Sequence, residues 1–220
     1  QNLASGGRVR IRKGEGRALK AGGAWIYDNE IEEISWEKEK GTGEKAFDGE
    51  IVSVEDFDGF FLGYGFYNSA SRIRVRMLTR YGKEEVTCSL LRERVQNAVR
   101  YRKAVTEMDS CRLIFGEADF LPGLTVDKFG SVLAVESLCL GMDRLKVLVL
   151  RLLFETLLRD GIEITGIYER SDAKVRELEG MKRVKGFIGP EFDPVVPIVE
   201  NGVRYLVDVK EGQKTGFFLD

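Results

Sequence analysis

Histidine is absent from all 220 residues. That absence excludes Ser-His-Asp and Cys-His catalysis and the common histidine-bearing metal sites. Cysteine is scarce: Cys88, Cys111 and Cys139 are odd in number, far apart and without CxxC spacing. Neither a disulfide framework nor a zinc site is expected from them, and a reducing cytoplasm is the expected compartment. No apolar run has the length of a membrane span, and Gln1-Asn2-Leu3-Ala4 lacks the pattern of a signal peptide. The formal net charge is only −2, so the global signal of a basic nucleic-acid binder is missing. What is present is ordinary: 43% hydrophobic and 10% aromatic residues, enough for cores in one large domain or two smaller ones.

Charge is distributed unevenly along the chain. Arg8, Arg10, Arg12, Lys13, Arg17 and Lys20 face a single nearby acid, Glu15. The alternation Arg8-Val9-Arg10-Ile11-Arg12 predicts a strand with one basic face. Gly14, Gly16, Gly22 and Gly23 mark turns around a short helical piece. Strands are predicted again over 51–55, over 60–67 after an Asp58-Gly59 turn, and in the alternating Arg72-Ile73-Arg74-Val75-Arg76-Met77. Short strands punctuated by glycine suggest a small β-barrel. The two arginine-bearing strands are expected to meet in space, as either a phosphate-neutralising face for RNA or a solvated strand face. Lys13-Gly14-Glu15-Gly16-Arg17-Ala18-Leu19-Lys20, Gly22-Gly23-Ala24-Trp25-Ile26-Tyr27 and Asn29-Glu30-Ile31 together resemble a PUA domain, an RNA-binding pseudo-barrel. Gly23 and Ala24 stand where that family places histidine and proline.

Over 84–108, Val86, Leu90, Leu91, Val95, Ala98 and Val105 recur at threes and fours, predicting a linker helix with a basic outer face. Arg112-Leu113-Ile114-Phe115, Leu124-Thr125-Val126-Asp127 and 132–136 predict a β-meander. Residues 142–160 predict a helix apolar nearly all round, which must be covered on more than one side. A strand at 164–168, a helix at 172–179 capped by Ser171 or Asp172, and an Asn201-Gly202 hairpin complete an α+β pattern. Glu117, Asp119 and Asp127 surround a Pro-Gly turn; they either line a substrate cleft or cap local backbone. Arg170 pairs with Glu169 or with a phosphate. The three thiols fall at ordinary helix and strand positions and are expected to be buried and structural.

Three blocks follow the PUA-like segment: 115–127, Tyr168-Glu169-Arg170-Ser171-Asp172, and Glu211-Gly212-Gln213-Lys214-Thr215-Gly216-Phe217-Phe218-Leu219-Asp220. In that order they resemble the class I S-adenosylmethionine-dependent methyltransferases that form 5-methylcytosine in large-subunit ribosomal RNA. The resemblance implies a PUA-like pseudo-barrel at 1–82, a linker helix at 83–110, and a central α+β domain at 111–195 (strands-helix-strand-helix-strands). A hairpin at 196–220 would then begin a Rossmann-like methyltransferase domain. The chain stops directly after an apolar run, which reads as an interruption before that domain. No strand, glycine-rich turn and helix unit of the kind that holds such a cofactor is present in the sequence.

The resemblance further implies S-adenosylmethionine as cofactor, held mainly by the domain expected to be absent. Gln213, Lys214, Thr215, Gly216, Phe217 and Asp220 would edge its pocket, unless the aromatics here merely pack under that domain. RNA, in the family a ribosomal RNA, is the implied partner at Arg10, Arg12, Lys13, Arg17, Lys20, Arg72, Arg74 and Arg76. Glu117, Asp119, Asp127 and Arg170 would line the substrate cleft. The family's catalytic cysteine, which attacks carbon 6 of the base, lies in the expected missing domain. No catalytic residue and no metal site are therefore expected on these 220 residues. A homodimer is common for such enzymes, and no membrane is involved. The alternative is an RNA-binding module without catalysis.

Overall fold

The computed structural model describes residues 2–4, 6–37, 47–80, 85–200 and 202–212. The first third supplies β1 (Gly7–Ile11), β2 (Trp25–Tyr27), β3 (Ile31–Trp36), β4 (Ile51–Glu55), β5 (Phe61–Tyr67) and β6 (Ile73–Met77). A one-turn helix, α1 (Arg17–Lys20), lies between β1 and β2. These strands form one sheet in the order β2-β6-β5-β4-β1-β3, antiparallel apart from the β1–β4 pair. Alternation explains the arrangement: each strand turns at least one side chain inward, and Val9, Ile26, Ile31, Val52, Leu62 and Val75 form one apolar cluster. Each such burial stabilises the fold by about 1.5–3 kcal/mol. The two arginine-bearing strands do not pair, because β5 and β4 lie between β6 and β1. Alternation sets a strand's faces but leaves its neighbours open.

Thr87 caps α2 (Cys88–Val105), its Oγ1 accepting from the Leu90 N–H at 3.2 Å. Glu85, Val86 and Thr87, expected within this helix, therefore precede it. Leu91, Val95, Ala98 and Val99 enter the apolar core shared with β7 (Ser110–Phe115), β8 (Leu124–Phe129), β9 (Val132–Ser137) and α3 (Leu140–Arg159). The helix read as a linker is thus a core element. β7, β8 and β9 form the expected antiparallel meander. From there α3 crosses to β10 (Gly166–Ser171), parallel to β9, and β11 (Val184–Phe187) ends the order β11-β10-β9-β8-β7.

Two local expectations change, and one is qualified. α3 is covered on more than one side as expected, by α2 and by β8 and β9, but Val147, Phe154 and Leu158 leave one face exposed. The helix expected over 172–179 contracts to α4 (Val175–Leu178), with Lys174 at the N-cap position. Ser171 is instead the last residue of β10, where its Oγ accepts from the Ser137 N–H at 3.0 Å; the sheet claims a residue that would otherwise cap. The final hairpin is as expected: β12 (Val195–Glu200) and β13 (Val203–Asp208) pair antiparallel around Gly202, whose φ is 78°. Val196, Ile198 and Val207 pack it against Phe129, Val132 and Tyr168.

The two larger sheets are keyed together by Glu179, just beyond α4 and only 3% exposed. Its carboxylate accepts from Arg76 Nη2 at 2.9 Å, Ser71 Oγ at 2.6 Å and Asn68 Nδ2 at 3.2 Å. Its backbone carbonyl also accepts from Asn68 Nδ2, at 2.9 Å. Burial works against the Arg76 charge, yet Glu179, with smaller help from neighbours that include Glu117, holds the guanidinium above its ordinary value. The sheets also touch where α3 begins: a Cβ on Gly141 would sit 2.1 Å from Phe66 Cδ1, so only glycine allows this approach. Glu179→Ala leaves a buried guanidinium without its main partner and is expected to cost about 3–5 kcal/mol in urea unfolding. A loss below about 1 kcal/mol, the range of a surface pair, would show that the contact is incidental.

Candidate nucleic-acid interface

The basic residues divide into those that are compensated and those that are free to meet a ligand. On β1, Arg8 lies 3.4 Å from Glu55 on β4, and Arg10 Nη1 donates to Glu33 on β3 at 3.2 Å. The outer face of β1 is therefore a cross-strand ladder of opposite charges. On β6, Arg76 is buried with Glu179, and its Nη1 is also 3.4 Å from Glu117. Its expected place on an RNA-facing strand is corrected: burial has turned it into a structural cation. Arg74 donates to the Ser69 carbonyl and shares a surface pocket with Asp28, Glu32 and Glu33, surroundings that repel phosphate. Arg72 is exposed just before β6.

The loop from β1 through α1 is different. Arg12, Lys13, Arg17 and Lys20 are all exposed there. Arg12 Nε donates to the Ile31 carbonyl at 2.8 Å, Lys13 lies over the Phe57 ring, and Lys20 reaches Asp56 at 3.2 Å. The Lys20 pair is exposed and weak, and the Arg12 bond, though partly buried, takes only one arm of its guanidinium, so these cations can turn to phosphate oxygens at little cost. Of the basic residues singled out from sequence, this group is the one the fold brings together on an open surface.

The proposed cleft acids are mostly structural. Asp127 is buried and takes two bonds from Arg112, at 2.8 and 3.0 Å. Burial pushes its carboxyl above the ordinary value against the pull of that guanidinium. Asp119 accepts both arms of Arg102, at 2.6 and 2.7 Å, and also the Phe115 N–H at 2.6 Å. Asp127 is thereby corrected from cleft wall to core ion pair. Glu117 stays half-buried at the surface, accepting from Trp25 Nε1 at 2.8 Å. Arg170 bonds neither Glu169 nor an open surface: it donates to the Gly212 carbonyl. Glu169 pairs with Lys146 at 2.6 Å.

Gln213, Lys214, Thr215, Gly216, Phe217 and Asp220, expected at a cofactor pocket, lie outside the described residues. Arg170 fastens the chain just before them. Charged residues that sequence reasoning passed over include Lys146 and Arg176, buried with Asp143 at 3.2 and 3.0 Å. Their signal in sequence is faint, since charges on a helix usually mark a solvated face. No described helix is long and apolar enough to cross a membrane.

Comparison with known proteins follows this geometry. Residues 9–80 match the PUA-like domain family. Over 217 residues, 97% of the chain, the sequence is 33% identical to ribosomal RNA large subunit methyltransferase I of Escherichia coli O157:H7. The proteins of the same name from E. coli O127:H6 and Shigella dysenteriae serotype 1 are 34% and 33% identical over the same length. The chain spans about half the length of these curated relatives, 51–52%. Among solved structures, a proposed SAM-dependent methyltransferase from Streptococcus mutans superposes with a TM-score of 0.72 at 18% identity, over 97% of this chain and 51% of that one. A proposed methyltransferase complexed with SAH gives 0.73 at 18% identity, over 97% of this chain and 50% of that one. At that identity the likeness is one of fold.

The thiols part company. Cys111 and Cys139 are buried as expected, and burial pushes them to about 11 and about 12. A nucleophilic thiolate requires a shift the other way. Cys88 departs from the expectation of burial, being exposed in the first turn of α2. A disulfide-exchange reagent at pH 8 is expected to titrate one thiol quickly and the other two only after unfolding. Rapid reaction of all three would contradict this core.

Proposed function

We propose that this chain is the RNA-recognition part of an S-adenosylmethionine-dependent methyltransferase acting on large-subunit ribosomal RNA, with carbon 5 of a cytosine as the target. Similarity to large-subunit ribosomal RNA methyltransferases over 97% of the chain carries the reading, and the PUA-like match at 9–80 supports an RNA partner. In this reading residues 1–82 grip RNA, 83–110 and 111–195 form the central unit, and 196–220 lead toward the cofactor.

The chain's own residues hold the substrate rather than transform it. Arg12, Lys13, Arg17 and Lys20 neutralise phosphates, each release of a counterion favouring the complex. Arg72 adds a cation at the head of β6. S-adenosylmethionine would supply the methyl group, with Gln213, Lys214 and Thr215 offering donors at the edge of its site. Arg170 orients the approach to that segment through the Gly212 carbonyl. The enzyme works in the cytoplasm, where ribosomal RNA is made, and as a homodimer.

Two measurements check this. In the source organism, deletion of the gene is expected to remove a single 5-methylcytosine from large-subunit RNA, read by mass spectrometry of nuclease fragments. An unchanged modification map would overturn the enzymatic reading and favour a binding module alone. In vitro, Lys13→Glu with Arg17→Glu is expected to weaken RNA binding and to shallow the slope of log affinity against log salt by about 2, one for each lost phosphate contact. An unaltered slope would remove the loop from the interface.

A further inference from the structure

A second surface, whose exposed rings belong to none of the candidate-site sets considered above, has the composition of a base-binding ledge. It lies where β2 meets the 3-10 turn Gly116–Asp119 and the outer side of α2. Phe115 and Phe120 flank that turn, each 53% exposed, and Trp25 and Tyr101 beside them are 40% and 60% exposed. Each ring has a guanidinium against it. Arg112 lies 5.1 Å from the Phe115 centroid, Arg94 5.7 Å from Phe120, Arg76 5.2 Å from Trp25 and Arg102 5.3 Å from Tyr101. A cation–π pair is worth least where ring and cation stay solvated and more once a ligand desolvates them. Here four rings stay in solvent.

The ledge is rigid before anything binds. Asp119 clamps the Phe115 N–H and both arms of Arg102, the Phe120 carbonyl accepts from Arg94 Nη1 at 2.8 Å, and the Trp25 indole N–H is held by Glu117. Phe120 itself has φ of 57°, the single non-glycine residue with positive φ among the described residues. An aromatic residue in left-handed backbone is disfavoured, and such strain persists where surrounding contacts enforce it. In this case enforcement leaves the ring facing solvent, which gains the isolated fold nothing.

We propose that Phe115, Phe120 and Trp25, backed by Arg112, Arg94 and Arg76, form a stacking ledge for the unpaired bases of an RNA strand, continued along α2 by Tyr101. The proposal rests on the RNA-recognition reading above. Its chemistry suits nucleobases rather than an apolar protein partner. The guanidiniums and the carboxylates Glu117, Asp119, Asp127 and Glu179 balance one another behind the rings, so the ledge offers π-faces in a polar, neutral frame. Stacking is tolerant of sequence and needs no duplex. Exposed Arg100, one residue before Tyr101, is placed to meet the backbone of a strand so held.

The test compares anisotropy titrations of the 220-residue chain with an unstructured single-stranded RNA and with the same sequence as a duplex. Phe115→Ala and Phe120→Gly are each expected to weaken single-strand binding about ten-fold while leaving duplex binding, which is carried by phosphates, unchanged. Glycine accepts the Phe120 backbone without strain, so Phe120→Gly is expected to melt no lower than the parent. Phe115→Tyr keeps a stacking ring and is expected to keep the affinity. Folded variants that bind the single strand like the parent would overturn the ledge and spare the RNA reading. Equal loss on strand and duplex would also overturn it, since stacking would not be the cause. A parent chain that binds neither RNA would remove both readings together.

Discussion

One buried carboxylate decides how the two halves of this protein face each other. Glu179 sits beyond a helix of a single turn, yet it accepts from Arg76, Ser71 and Asn68, all from the six-stranded sheet. A buried charge is tolerated only when its hydrogen-bonding capacity is met, and these donors meet it only in one relative placement of the sheets. Gly141 against Phe66 adds a steric limit to the electrostatic one. Arg76 already lies under the Trp25 ring through the β2–β6 pairing; from the placement of the sheets it follows that Trp25 reaches Glu117 and that the turn after β7 comes to the edge of the first sheet.

Much of this was legible in the chain. Strict alternation predicted β1 and β6, Asp58-Gly59 predicted the β4–β5 turn, and Asn201-Gly202 predicted the last hairpin, because each is local chemistry. The meander β7–β8–β9 and the helix that follows it were equally plain. What escaped is non-local. Nothing in Arg72-Ile73-Arg74-Val75-Arg76 distinguishes the buried guanidinium from the exposed one. That difference is made by Glu179, more than a hundred residues on. Ser171 looks like a cap until a strand claims it, and Asp127 looks like a turn residue until Arg112 pairs with it across the meander.

The same principle sorts the candidate site. Alternation puts arginines on one face of β1, but antiparallel and parallel neighbours bring Glu33 and Glu55 to that face, and the charge is spent inside the sheet. The cations left for a partner are those of the α1 loop, where, among the described residues, the one short-range acid is Asp56 against Lys20, in an exposed pair. The aromatic residues behave in the opposite way. Large aromatic side chains are ordinarily core material, whereas the fold leaves Trp25, Phe115 and Phe120 in solvent with guanidiniums packed against them. In the proposed reading, phosphate contacts at the loop and base contacts at the ledge would divide the work as nucleic-acid recognition commonly does, one positioning the strand and the other holding its bases.

The central claim is that RNA lies across this junction. Photocrosslinking with an RNA carrying 4-thiouridine, followed by mass spectrometry of the linked peptides, tests it most directly. The account predicts crosslinks at Trp25, Phe115, Phe120 and Tyr101, with contacts also at the loop holding Lys13 and Arg17. Crosslinks gathered instead on the exposed α3 face of Val147, Phe154 and Leu158, or on the charge ladder of β1, would contradict it.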